Sequence, residues 1–171
     1  MKEKEREERI GFEAVELKGE HGYLIRSLLS KRENRRNEAY GGDRAGRMRF
    51  PLEVFAAMRA AWPTDKPMGV RLNGTDWDEA GLAGDDAVAF ARALKDFGCD
   101  FFDVSRGGNS MVRAPLKPGY QAPFADAVKQ ATGVPTMAVG MIRDPHIAEE
   151  LVAGGQCDMV AIARGLLYGP R

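Results

Sequence analysis

Residues 136–165 read TMAVGMIRDPHIAEELVAGGQCDMVAIARG. A β-prone run, Thr136–Val139, passes through Gly140 and a short polar loop into Pro145–Ala153, which fills the place of a helix. Gly154-Gly155 supplies a C-terminal stop, and a second β-prone run, Met159–Ile162, follows. Strand, helix and strand in this order make a βα unit, whose strands run parallel because the connecting helix carries the chain back. The same alternation extends upstream. Ala14–Leu17, Met68–Leu72 and Phe101–Val104 read as strands. Arg47–Ala61 and Asp85–Phe97 carry apolar residues at helical spacing, Phe97-Gly98 supplies a stop, and Phe124–Ala131 fills the crossover before the fourth strand. Lys31–Asp43 and Arg106–Gly119 read as long polar loops. The expected class is α/β with five parallel strands.

Five parallel strands suit either an open doubly wound sheet or part of a closed barrel, and periodicity does not separate them. The residues at the strand ends do. Lys18, Arg71, Ser105, Gly140 and Arg164 each fall at the C-terminal end of a successive strand, and a parallel barrel gathers such residues around one mouth. A dinucleotide-binding open sheet instead requires a glycine fingerprint in its first turn, and Lys18-Gly19-Glu20-His21-Gly22 does not match GxGxxG. An incomplete (β/α)8 barrel is the expected architecture.

Composition narrows the function. The chain has 171 residues, 25 basic and 25 acidic, for a formal net charge of zero. That balance gives no global attraction to nucleic acid or anionic lipid. No run approaches the ~18 apolar residues of a membrane span, and the expected location is cytoplasmic. Residues 1–10 hold four basic and four acidic residues without an apolar stripe, and form a charged N-terminal segment ahead of a single domain over residues 11–171. Cys99 and Cys157 have no second Cys or His at ligand spacing, so neither a disulfide framework nor a metal site is expected.

Several residues can carry chemistry. Val139-Gly140-Met141-Ile142 and Ile162-Ala163-Arg164-Gly165 match a barrel phosphate site, where backbone N–H groups after the last two strands and an arginine bind a dianion. Alternatively, Gly140 relieves a crowded turn and Arg164 pairs with a surface carboxylate. Arg71 ends an otherwise apolar strand and needs a counter-charge, from an anionic or carbonyl-rich ligand or from a carboxylate such as Asp76 or Asp103. Lys18 and His21 are candidate donors at the mouth, although a lone histidine is more often structural. Tyr23 is either a proton donor or an edge aromatic. Lys31, Arg32, Arg35 and Arg36 are interleaved with Glu33 and Glu38 and read as a solvated loop.

Taken together, the motifs resemble the Old Yellow Enzymes, FMN-dependent NAD(P)H oxidoreductases and ene-reductases. The resemblance runs through Gly11-Phe12, Val15-Glu16-Leu17, His21-Gly22-Tyr23-Leu24, Asn34-Arg35-Arg36, Tyr40-Gly41-Gly42, Arg47 and Arg49-Phe50. It continues through Gly69-Val70-Arg71-Leu72, Asp103-Val104-Ser105, Pro118-Gly119-Tyr120-Gln121, Ala138-Val139-Gly140 and Asp158-Met159-Val160 to Arg164. It implies bound FMN, reduction by NAD(P)H, and hydride transfer to an activated alkene, with phenols as alternative ligands. Arg71 then matches the arginine at the pyrimidine edge of the flavin, and Gly140, Ala163 and Arg164 match the FMN phosphate site. His21 matches the second member of the pair that binds the substrate carbonyl, and Tyr23 a pocket tyrosine.

Lys18 departs from the family, standing where the first histidine of that pair is expected. The resemblance also places this sequence on strands four to eight of an eight-stranded barrel, without the first three strands and their loops. It implies self-association, or a partner that supplies the remaining part. The competing expectations are a half-barrel that binds no flavin and serves as an interaction subunit, and a phosphate-binding aldolase or isomerase.

Overall fold

The computed structural model describes residues 11–78, 80–106 and 117–169, so the charged segment 1–10 and most of the loop 106–119 lie outside the described residues. Five strands form one parallel sheet: β1 (Val15–Gly19), β2 (Met68–Asn73), β3 (Phe101–Ser105), β4 (Thr136–Ala138) and β5 (Met159–Val160). Their spatial order is their sequence order, each strand hydrogen-bonded to the next. A doubly wound sheet reverses direction at a switch point. This sheet has none, and it is an arc of a (β/α)8 barrel.

Register assigns the two faces. Leu17, Val70, Phe102 and Thr136 are successive partners, as are Leu72, Val104 and Ala138. Paired positions of parallel strands point the same way, so these residues share one face. On it, Met68, Val70, Leu72, Phe102 and Val104 are closed to solvent together with Phe55, Phe90 and Leu94 from the helices. Burying each such side chain contributes about 1.5–3 kcal/mol and fixes the helices on this side. The other face belongs to the row Lys18, Arg71, Asp103, Met137 and Met159. Charge lies on the barrel interior, toward which the strand ends also turn. At Gly69 that interior is tightly filled, since a Cβ there would lie 2.4 Å from the Phe101 ring.

The crossover helices are α2 (Arg44–Ala61), α3 (Gly84–Asp96), α4 (Ala122–Thr132) and α5 (Pro145–Ala153). Asp43 caps α2 by accepting from the Gly46 N–H at 2.8 Å, and Asp144 caps α5 by accepting from His146 at 2.9 Å. The cap at Asp43 starts α2 three residues earlier than the expected Arg47. Two short helices, α1 (Leu24–Leu29) and α6 (Arg164–Tyr168), stand where the sequence reading assigned no element. Neither spans two full turns, so neither displays a helical period. β1 is shifted toward Gly19, and β2 and β3 each run one residue longer than expected. Lys18 and Ser105 therefore lie within strands rather than beyond them, as Arg71 does in the expected run. β4 and β5 stop early because the chain leaves the ladder at Val139 and Ala161 to turn into the mouth.

Among the described residues no helix is long and apolar enough to cross a membrane, and no cluster of His, Cys, Asp and Glu is arranged to hold a metal ion. Cys99 and Cys157 are free and buried. Burial pushes the Cys99 thiol up to about 12, which leaves it an inert core group.

Candidate active site

The C-terminal ends of the strands enclose a cavity of about 540 Å³. His21 contributes from the loop after β1, Arg71 from β2, Ser105 from the end of β3, Gly140 from the loop after β4, and Ala163 and Arg164 from the segment after β5. Of the strand-end residues expected at one mouth, Arg71, Ser105, Gly140 and Arg164 line it together with His21, and Lys18 does not.

His21 is held by its backbone as well as its ring. Its φ of 55° lies in the left-handed region, and its N–H donates to Asn73 Oδ1 at 3.3 Å. Asn73 in turn donates to Asp76 Oδ1 at 3.0 Å. Asp76 is closed to solvent and accepts from Arg26 Nε at 3.2 Å, Arg26 Nη2 at 2.5 Å and the Leu82 N–H at 2.7 Å. Arg26 also pairs with Glu33. This buried network ties α1 and the His21 turn to the loop after β2. His21 Nδ1 lies 3.2 Å from Glu20 Oε1, and Nε2 lies 3.0 Å from the Arg106 carbonyl oxygen. Trp77 and Met141 also adopt left-handed backbone; Met141 lines the cavity, and the Trp77 ring lies 5.6 Å from the guanidinium of Arg106 in its wall. Backbone held in that region costs free energy and gathers at functional sites.

Arg71 is shared between two carboxylates, with Nε 3.2 Å from Asp103 Oδ2 and 3.7 Å from Glu20 Oε1. Of the two carboxylates suggested as its partner, Asp103 is the one it meets, and Asp76 belongs to Arg26. Desolvation pushes Asp103 up to about 6 despite the opposing pull of Arg71. Glu16, more exposed at the β1 edge, is pushed up to about 7 by desolvation first and then by the charge of Asp103. Several buried polar atoms lack hydrogen bonds: Arg71 Nε, Ser105 Oγ, Gln121 Oε1 and both carboxylate oxygens of Glu20. Buried polar groups are almost always satisfied, so the orphans that line the cavity, those of Arg71, Ser105 and Gln121, are groups arranged for a ligand. Gly140 has φ 121°, and a Cβ there would meet Gln121 Cγ at 3.0 Å and the Tyr120 ring at 3.1 Å, closing the backbone approach.

Lys18 and Tyr23 stand outside the cavity lining. The Lys18 ammonium lies 4.3 Å from the centre of the Tyr23 ring and 3.7 Å from Glu20 Oε1, and both side chains are largely exposed. Glu20, Arg106, Tyr120 and Gln121 were not singled out as site residues by the sequence. Glu20 was legible in principle, since it follows Glu16 and Lys18 at the two-residue period of one strand face. The basic loop is paired as expected of a solvated segment, with Lys31 3.4 Å from Asp86, Arg36 3.6 Å from Glu38, and Arg32 against Asp78.

Comparison with known proteins agrees with this architecture. Residues 4–171 match the model of the NADH:flavin oxidoreductase / NADH oxidase family. An NADPH dehydrogenase of Geobacillus sp. is 39% identical over 165 residues, covering 96% of this chain and 48% of that protein. An NADPH dehydrogenase of Clostridium acetobutylicum is 39% identical over 166 residues, covering 96% of this chain and 49% of that protein. The chain thus spans about half the length of the curated relatives it matches. Among solved structures, a 2-naphthoyl-CoA reductase in complex with 2-naphthoyl-CoA superposes with a TM-score of 0.89 at 28% identity, over 95% of this chain and 26% of that one. The sequence match and the shared half-barrel establish that the chain belongs to the NADH:flavin oxidoreductase / NADH oxidase family, the Old Yellow Enzymes.

Proposed function

We propose that this chain carries the ring-edge and phosphate-binding side of an FMN-dependent NAD(P)H oxidoreductase site of the ene-reductase type. The observation that carries the reading is the convergence of Arg71, Ser105, Gln121, Gly140 and Arg164 on one cavity, with orphaned polar atoms on Ser105 and Gln121. The group present in the family fits these residues. A planar ring with alternating carbonyl and N–H groups would meet the Arg71 guanidinium, Ser105 Oγ and Gln121 Oε1, and a phosphate would be matched by Gly140, Ala163 and Arg164. Bound FMN supplies the hydride relay between a nicotinamide and the electron-poor carbon of an activated alkene.

The residues of the chain bind and orient. Arg71 places a cation at the ring edge, and Asp103 and Glu20 hold its guanidinium in position. His21 lines the mouth, and its Nε2–H, now directed at the Arg106 carbonyl oxygen, would be donated instead to a substrate carbonyl, withdrawing electron density from the conjugated alkene. Glu20 orients that ring through Nδ1, and the Arg26–Asp76–Asn73 network fixes the turn beneath it. Lys18 and Tyr23 act from outside the cavity wall, with the Lys18 charge reaching the site through Glu20. We further propose that the charged interior face is completed by additional polypeptide, from a second copy or a separate partner.

Equilibrium titration with FMN and with riboflavin tests the assignment. Saturable FMN uptake in preference to riboflavin, with that preference lost in Arg164→Ala, is the expected result. Equal binding of the two, or a preference untouched by Arg164→Ala, places the phosphate elsewhere.

A further inference from the structure

The cavity has more cations than this reading uses. Arg71, Arg106, Arg143, Arg164 and His21 line it, and no carboxylate does. Arg71 answers to Asp103 and Glu20, and Arg164 is assigned to the phosphate. Arg106 has a different setting. Its guanidinium carbon lies 5.6 Å from the centre of the Trp77 ring and 5.6 Å from that of Tyr120. Among the described residues it makes no ion pair with a carboxylate.

Both aromatic walls are themselves held. Trp77 stands edge-on to Phe124, with centroids 5.8 Å apart and planes at 88°, and its backbone N–H donates to Thr75 Oγ1 at 3.1 Å. The Tyr120 hydroxyl accepts from Gln121 Nε2 at 2.9 Å. An arginine clamped between rings has its planar group oriented in advance, so less conformational freedom is lost when its N–H edge meets an anion. The location decides whose anion it is. The Arg106 carbonyl oxygen is 3.0 Å from His21 Nε2, so Arg106 and His21 are neighbours in the cavity lining, within reach of one ligand.

We propose that Arg106 is a specificity-determining residue, and that the acceptor taken by this site is an electron-poor alkene bearing a carboxylate in addition to the carbonyl that His21 binds. The inference rests on the flavin reading and adds the substrate class. The carboxylate pairs with the clamped guanidinium while the carbonyl meets His21, which fixes which end of the alkene faces the ring.

The test is calorimetric titration of the FMN-loaded chain with 4-hydroxybenzoate and with its neutral isostere 4-hydroxybenzamide. Wild type should prefer the carboxylate by roughly tenfold. Arg106→Gln should abolish the preference while leaving amide binding and FMN affinity within about twofold. Arg106→Met, which keeps an unbranched chain between the rings, should do the same and serves if the glutamine variant is unstable. An undiminished preference in both variants overturns the inference. A parallel titration with 2′,5′-ADP and 5′-AMP separates the other source of an anion. If the variants lose only the preference for 2′,5′-ADP, Arg106 serves the phosphate of the reductant and the proposal is wrong. FMN uptake without a carboxylate preference overturns this inference alone, whereas failure to take up FMN overturns the functional reading and this inference with it.

Discussion

Asp103 Oδ2 stands 3.2 Å from Arg71 Nε, the two residues occupying paired register positions of β3 and β2 on the barrel interior. Asp103 is buried, and desolvation raises it from 3.8 to about 6. The raised value means that the folded state retains the proton after the unfolded chain has lost it. Stability from this group is therefore fully present below about pH 4 and is lost as pH rises to about 6, a change of up to about 3 kcal/mol. Asp103→Asn should gain in stability relative to wild type across that window and hold a constant difference above it. Denaturant titrations at several pH values measure the difference, and a flat difference between pH 4 and 6 would contradict the account.

The Arg26–Asp76 pair makes a second, independent prediction. Arg26 is 3% exposed and Asp76 1%, so removing Arg26 strands the buried Asp76 charge and removing Asp76 leaves Arg26 with Glu33 alone. Asp76→Ala should cost about 3–5 kcal/mol, and an apolar replacement of both partners should recover much of it. Because Asp76 also holds Asn73, and Asn73 the His21 N–H, the single variant should weaken phenol binding along with stability. A loss of stability with phenol binding intact would detach the network from the site.

His21 and Lys18 were both expected at the substrate carbonyl, and the structure brings only His21 to the cavity lining. His21→Ala should therefore weaken phenol binding to the flavin-loaded chain more than Lys18→Ala. Spectrophotometric phenol titrations rank the two, and equal or reversed losses would reject the order.

Among the described residues, β1 and β5 are each hydrogen-bonded to one neighbouring strand. Near β5 the side chains of Met159, Leu166 and Leu167 are 38%, 57% and 81% exposed. Open strand edges beside apolar side chains promote association. Sedimentation velocity should show concentration-dependent oligomers that Leu166→Lys with Leu167→Lys reduces. A monomer at every concentration would remove association through this edge.

The strands and crossover helices were legible in the sequence because β-prone runs alternate with helical stretches, and two of the helices end at the readable signals Gly98 and Gly154. α1 and α6 were not, being shorter than the period that reveals a helix. The mouth was legible through Arg71, Gly140 and Arg164, since position at a strand end depends on topology alone. The partners of those residues were not. Nothing in local spacing says that Asp103 rather than Asp76 meets Arg71, or that Arg106 falls between Trp77 and Tyr120, because these are contacts across 30 residues or so of crossover chain. Glu20 lies between the two cases: its strand parity was readable, but its burial beside His21 and Arg71 required the fold.

The most direct measurement of the central claim is a crystal structure of the chain with FMN bound. The account predicts the pyrimidine edge of the ring against Arg71, with Ser105 or Gln121 completing its hydrogen bonds, and the phosphate at Gly140 and Arg164. A ring bound away from Arg71, or a phosphate held outside the Gly140–Arg164 end of the cavity, would contradict it.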